Sequence, residues 1–273
     1  MPTRSGVRQT LATVLIIVGL LPQWVVADEQ ELRLFHRYST LSNGLSDWQD
    51  WQLHWERKGN EKHWDYLSLE NQSRYGIQDN NFRFGHHYNQ SEKQELRGEV
   101  SLSQNNDLFP AYSLLGGLSR KLNAQTILDL GLRLSHFYKV HPITSMVTEP
   151  NSVSLSSRLD YYFGNSLLAY SLIYTQMQSP GLNDAAVSQS IKYLYVYDGR
   201  SNLFISLGSG DEVDFEPSNT SLVISRIDNI SAGGSHWLSA RTALVYTVGL
   251  HQIGSSGFSY QRNELYLGIR RLL

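Results

Sequence analysis

The sequence predicts an all-β protein, a transmembrane antiparallel up-and-down β-barrel of about 14 strands. Three observations predict this class. Strand-length segments with alternating apolar and polar residues follow an N-terminal segment of secretory type. After residue 27 no apolar run approaches the roughly 20 residues that a membrane-spanning helix needs. The connections between segments are alternately short and long, as in barrels of outer membranes.

The first element is a predicted signal peptide. Arg4 and Arg8 give a positively charged N-terminal region, and residues 11–21 form the apolar stretch that follows it. The small residues at 25–27 form the expected cleavage site. A single N-terminal membrane anchor is the alternative, but the apolar stretch is too short to span a bilayer. We therefore expect two parts, a signal peptide at 1–27 and an outer-membrane barrel domain at 28–273.

The amino-acid composition limits which cellular compartment and which binding partners are expected. The 273 residues carry 23 Lys and Arg against 25 Asp and Glu, a formal charge of −2, so nothing in the composition favours a nucleic-acid partner. There is no Cys, although secreted soluble domains often use disulfides. Tyr and Trp, which favour membrane–water boundaries, number 16 and 6.

Period-two alternation is clearest in three segments. In the first segment, apolar residues alternate with polar ones: Leu96, Val100 and Leu102 against Arg97, Glu99 and Ser101. In the second, leucines at 128, 130, 132 and 134 alternate with Asp129, Gly131 and Arg133. In the third, the apolar residues are Val153, Leu155 and Leu159, and the polar ones are Ser154, Ser156, Arg158 and Asp160. The apolar residues are expected to face lipid and the polar ones a lumen. A soluble β-sandwich has the same alternation.

Connection lengths distinguish the barrel from the sandwich. We predict strands at 31–41, 47–57, 63–74, 81–89, 94–104, 112–121, 126–138, 152–163, 166–177, 188–197, 201–209, 221–235, 242–252 and 258–272. The long connections are predicted at 105–112, 139–151, 178–187 and 210–220. Three further outer connections, 42–46, 75–80 and 254–257, are shorter and depart from this pattern. This arrangement places both termini in the periplasm and the long loops outside. The sequence leaves 12 or 16 strands open as alternatives.

The last strand has half of the usual signal for the barrel-assembly machinery, an expected partner during biogenesis. Gly268 is present, whereas Arg271 and Leu273 stand where an apolar residue and a terminal Phe are usual. The other expected partners are outer-membrane lipid and lipopolysaccharide. The predicted location is the outer membrane of a Gram-negative cell.

Local patterns along the mature chain resemble the YaiO family of outer-membrane β-barrels. They are the residues 109–114 (FPAYSL), 162–165 (YFGN) followed by 168–170 (LAY), and 234–238 (GSHWL). The resemblance implies an outer-membrane barrel whose biochemical activity is poorly defined. In this family a helical repeat domain sometimes precedes the barrel, and we expect no such repeat in this chain.

A polar network is predicted in the lumen. Its members are Arg97, Glu99, Asp129, Arg133, Arg158 and Asp160. Two interpretations stay open: a polar conduit for a small solute or a glycan, and a self-paired network that holds the barrel closed. Inward-facing Tyr162, Tyr266 and Phe204 are candidates for stacking on sugar rings.

Two further groups of residues, one of tryptophans and one of acidic residues, are expected to have structural rather than functional roles. Trp48, Trp51, Trp55 and Trp64 are expected in an interfacial girdle. Asp211, Glu212, Asp214 and Glu216 form a candidate extracellular acidic loop, which could bind Ca²⁺ or bridge lipopolysaccharide, but we expect a solvated loop without a metal because no calcium-loop spacing is met.

The function is expected to be non-enzymatic and without cofactors. The Ser and His neighbours that a surface hydrolase could use are His86-His87, Ser135-His136 and Ser235-His236. Serine is abundant, so such neighbours are expected by chance. The candidates are therefore a narrow channel or an accessory for surface polysaccharide or small-solute passage, a non-conducting structural or surface-interaction barrel, and, third, a lipid or lipopolysaccharide hydrolase.

Overall fold

Fourteen long strands form one closed barrel in the computed structural model, which describes residues 29–273 except 43, 45, 60–61, 75, 106–107, 141–146, 149–150, 180–181, 217–220 and 256–257. The predicted signal peptide lies outside the described residues. Within the described residues, no helix is long and apolar enough to cross a membrane. The strands are β1 (Gln30–Leu41), β2 (Trp48–Lys58), β3 (His63–Arg74), β4 (Ile77–Ser91), β5 (Gln94–Ser103), β6 (Tyr112–Lys121), β7 (Thr126–His136), β8 (Lys139–Val140), β9 (Val147–Thr148), β10 (Asn151–Phe163), β11 (Ser166–Ser179), β12 (Leu182–Val196), β13 (Asn202–Glu216), β14 (Ser221–Trp237), β15 (Thr242–Ser255) and β16 (Phe258–Leu272).

Each barrel strand pairs antiparallel with its neighbours in sequence, and β1 closes the barrel on β16. Glu31 is opposite Leu272, so the two described termini lie at the same end, here called the terminus end. The opposite end, called the loop end, carries β8 and β9, which pair separately between β7 and β10. The predicted all-β barrel of fourteen strands is confirmed. Closure leaves no sheet edge with unpaired backbone groups, as lipid requires.

Two predicted long connections were wrong. β11 runs to Ser179 and β12 starts at Leu182, so most of 178–187 is strand. Likewise β13 runs to Glu216 and β14 starts at Ser221. The polar, Gly-containing composition of these segments suggested loops, but a hairpin can continue beyond the bilayer because cross-strand pairing satisfies its backbone in water as well as in lipid.

The two faces of the barrel differ as the alternation predicted. Large apolar side chains are exposed on the outer surface; examples are Leu96, Leu130, Leu155, Ile191, Leu207, Val248 and Leu267. A continuous apolar surface of this kind is what lipid covers in a transmembrane barrel. The buried polar side chains face inward; they include Glu31, Asp50, Ser68, Glu70, Ser101, Ser113 and Asp160.

The predicted tryptophan girdle is only partly correct. Trp51 and Trp55 have Leu53 between them on the outward column of β2. Trp48 instead points inward and is 5% exposed, with the guanidinium of Arg74 4.2 Å from its ring centre. Trp64 also faces inward and stacks on His87. Strand parity explains the error, because residues 48 and 64 belong to the inward columns of β2 and β3.

A buried carboxylate binds the connection between β5 and β6 at the loop end through hydrogen bonds. Asp79 is 0% exposed. Its oxygens accept hydrogen bonds from the Ser103 hydroxyl at 2.9 Å and from the backbone N–H groups of Asn105, Leu108 and Phe109 at 3.0, 3.0 and 3.2 Å. A single charge therefore orders the described part of this connection.

Candidate solute pathway in the barrel lumen

The lumen has two unlike walls. The charged wall consists of the inward side chains of β16 and β1 to β7, where carboxylates and guanidinium groups alternate. The hydroxyl wall consists of the inward side chains of β10 to β14, where small uncharged residues prevail; its members include Ser154, Ser156, Ser171, Ser188, Ser190, Ser206, Gly208, Asn229 and Ser231.

Ion pairs cover the charged wall. Glu31 contacts both Arg33 and Arg270, the latter at 2.6 Å. Asp50 pairs with Arg37. Glu70 pairs with Arg83 and lies 4.0 Å from Arg37. The carboxylates are nearly buried, so each requires such a partner.

The predicted polar network faces the lumen, and its six members form three ion pairs. Arg133 lies 2.9 Å from Glu99, and Arg97 lies 3.7 Å from Asp129. Both of these pairs join β5 to β7 and pass over β6. Arg158 and Asp160 pair within β10 at 2.7 Å. The alternation placed these residues on the inward face, but it gave no signal for the pairs Arg37–Asp50 and Arg83–Glu70, whose segments alternate less regularly.

Glycines make room for the largest inward side chains. Tyr66, Arg97 and Phe35 lie directly opposite Gly85, Gly117 and Gly268 in the strand register. A Cβ atom at any of the three glycines would overlap the facing side chain. Arg97 therefore reaches Asp129 across β6 because position 117 has no side chain.

The hydroxyl wall encloses a hollow. A cavity of about 250 Å³ is lined by residues that include Ser171, Ser188, Ser190, Ser206 and Asn229. Ile173 belongs to the inward column of β11, yet 41% of its surface is exposed. Glu99 on the charged wall is by contrast only 9% exposed. The cavity thus lies along the hydroxyl wall.

One cation stands beside this cavity. Lys192 is directly opposite Ser206 and two residues from Ser190 on the same inward face. Its ammonium nitrogen lies 3.9 Å from the ring centre of Phe204. Among the described residues no carboxylate oxygen lies within ion-pair distance of it. Sequence reasoning missed Lys192, because a single lysine among serines resembles an ordinary solvated position.

The family model for the YaiO membrane beta barrel domain matches residues 29–215. The match covers more than half of the chain. This chain belongs to the YaiO family. No curated protein matches its sequence.

Solved structures similar to this YaiO-family barrel are outer-membrane barrels. The CymD monoaromatic hydrocarbon channel is 11% identical, with a TM-score of 0.60, and the match covers 91% of this chain and 89% of that one. A bacterial polysaccharide outer membrane secretin is 10% identical, with a TM-score of 0.58 and coverage of 91% and 100%. An anion-selective porin from Comamonas acidovorans is 10% identical, with a TM-score of 0.52 and coverage of 90% and 99%. At these identities the likeness shows the fold alone.

The paired Ser and His candidates of this YaiO-family barrel are not brought together. Ser135 is buried opposite the inward Ser113, whereas His136 faces outward, stacks on Tyr112 and contacts Asn151 at 2.8 Å. Ser235 and His236 likewise belong to opposite columns of β14. His86 and His87 also diverge, to Asp65 on the outside and to Glu95 inside, both at 2.7 Å. Adjacent strand residues point to opposite faces, so none of these neighbours forms a catalytic pair.

The acidic segment does not form the predicted loop. Asp211, Glu212, Asp214 and Glu216 lie in β13, and Asp211 is opposite Arg226. The side chains of the other three are outside the described residues. Among the described side chains, no group of three or more His, Asp or Glu could hold a metal ion.

Proposed function

We propose that this YaiO-family barrel is a narrow channel for small polar solutes. The observation that carries the proposal is the unequal division of the lumen. Charges on one wall pair with one another, and a cavity of about 250 Å³ opens along the other wall. Solutes would pass along the hydroxyl wall, while the charged wall keeps the barrel rigid.

The hydroxyl wall suits this task for a physical reason. Serine hydroxyls donate and accept hydrogen bonds, so they can replace water around a polar solute without fixing its charge. Binding along such a wall is weak and distributed over several sites, which allows release as well as entry. The surface-polysaccharide alternative requires the same wall to accommodate a chain of sugars.

A non-conducting structural barrel is the second candidate function. It is favoured by the ion pairs of the charged wall, because an interior network of this kind can hold a barrel of moderate width closed. The two candidates differ over whether the hydroxyl wall forms a continuous aqueous path. A hydrolytic function finds no support in the described Ser and His side chains, and we propose that the protein is not an enzyme.

Single-channel recording in planar bilayers tests the channel. Purified wild-type protein is expected to give discrete conductance steps. Ser190→Trp places a large side chain on the hydroxyl wall and is expected to reduce the conductance at least by half. Ser157→Trp is the matched control, because Ser157 is opposite Leu130 and Leu172 on the outward face. Absence of conductance steps in either polarity would favour the structural barrel.

We also propose that the terminus end faces the periplasm and the loop end faces outward, in contact with lipopolysaccharide. The supporting observation is that the two longest connections, 104–111 and 137–150, lie at the loop end, whereas the connections at the terminus end, such as 164–165 and 197–201, have at most five residues. An epitope inserted between β8 and β9 should bind antibody on intact cells. Binding only after the outer membrane is permeabilised would reverse the orientation.

A further inference from the structure

The immediate surroundings of Lys192 contain more positive than negative charge. Arg158 holds Asp160 through Nε at 2.7 Å, and its side chain is 45% exposed. Asp129 is opposite Arg158, but its carboxylate lies 3.7 Å from Arg97. Three cations therefore face two carboxylates here, and among the described contacts Lys192 is the cation without an ion pair.

The excess charge lies at the edge of the cavity. Asp160, Ala169, Lys192 and Ser206 form one row across β10 to β13, and the adjacent row contains Arg158, Ser171, Ser190 and Gly208. Side chains in adjacent rows of one face are close enough to contact a common ligand. Ala169 is 3% exposed, so its neighbours close over it, and the open space begins at Ser171, Ser190 and Ser206, which line the cavity.

We infer that this part of the lumen is a selectivity site for small hydroxylated carboxylates of the sugar-acid type. The inference rests on the proposed channel and names its solute class. Lys192 and the terminal nitrogens of Arg158 would attract the carboxylate. Ser171, Ser190, Ser206 and Asn229 would exchange hydrogen bonds with the hydroxyl groups. The ring of Phe204 holds the ammonium group of Lys192 at the wall.

Both chemical features of the solute are needed. A simple carboxylate would meet the cations but leave the serine hydroxyls to water. A neutral sugar would satisfy the hydroxyls but gain nothing from the positive charge. Selectivity for the combination requires the two groups to lie side by side, and the strand register places them so.

The test uses three probes of similar size in the planar-bilayer recording. They are gluconate, with charge and hydroxyls; glucose, with hydroxyls alone; and hexanoate, with charge alone. Gluconate is expected to reduce the current carried by KCl at concentrations several times lower than the other two. Lys192→Gln is expected to weaken the gluconate effect about fivefold, the scale of an ion pair at a partly exposed site, and to leave the glucose effect unchanged.

The control is Arg120→Gln, which removes a positive charge opposite Leu128 on the outward face of the barrel. It should leave all three effects unchanged. Equal effects of gluconate and glucose in the wild type, or an unchanged gluconate effect in Lys192→Gln, would overturn the selectivity site while the channel stands. A wild-type protein without conductance would instead overturn the proposed function.

Discussion

The guanidinium of Arg133 lies 2.9 Å from the carboxylate of Glu99, although a whole strand, β6, separates the two strands that carry them. The same carboxylate accepts a hydrogen bond from the hydroxyl of Tyr66, which lies two strands away in the other direction. Glu99 therefore connects β3, β5 and β7 through side chains alone. This connection strengthens the charged wall, which is opposite the wall along which we propose that solutes pass.

Breaking this pair on one side should destabilise the barrel more than removing it entirely. Glu99→Leu leaves Arg133 without its carboxylate and is expected to cost about 1–3 kcal/mol, the scale for a charged group that loses its partner. The double variant Glu99→Leu, Arg133→Leu should recover part of that loss. Thermal unfolding in detergent, followed by circular dichroism, measures both. A loss in the double variant at least as large as the loss in Glu99→Leu would contradict this pairing.

A second prediction concerns Gly117, which lies directly opposite Arg97 in the strand register. Gly117→Leu fills the space that Arg97 crosses to reach Asp129, so we expect a loss of about 1–3 kcal/mol from overpacking. Gly116→Leu adds the same side chain on the lipid face, where a Cβ meets nothing within 4 Å, and it should be neutral. The temperature at which the folded, fast-migrating gel band disappears reports the difference. Equal behaviour of the two variants would contradict the packing account.

The number of strands and their faces were predictable because the membrane imposes them. Alternation in segments such as 126–136 is set by lipid on one side and water on the other. Pairings such as Arg133 with Glu99 were not predictable, since they depend on which inward residues meet across an intervening strand. Strand ends such as Ser179 and Glu216 were also not predicted, because both faces of a hairpin can be polar beyond the lipid. Lys192 carried no signal without its neighbours.

A third prediction concerns the carboxylate at the loop end. Asp79→Ala removes the acceptor for three backbone N–H groups of the connection between β5 and β6, so this connection should become accessible to chymotrypsin at the bond after Leu108, whereas Pro110 protects the bond after Phe109. We expect cleavage there at least tenfold faster than in the wild type.

The matched control is Asp198→Ala at the terminus end. Hydrogen bonds from Ser201 and from the backbone of Arg200 hold the pKa of Asp198 below its usual range, so this carboxylate also orders a turn, but a distant one. Its removal should leave cleavage at 108–109 unchanged. Faster cleavage in both variants would indicate general loosening of the barrel rather than loss of a local contact.

The most direct test of the account is whether the hydroxyl wall lines the conducting path. Because the chain has no Cys, single cysteines can be introduced without altering native ones. Ser190→Cys on the hydroxyl wall and Ser157→Cys on the lipid face are recorded in planar bilayers during addition of a charged methanethiosulfonate reagent. We expect a stepwise fall of the current for Ser190→Cys and no change for Ser157→Cys. A current through Ser190→Cys that the reagent leaves unchanged, although mass spectrometry shows the cysteine to be modified, would contradict it.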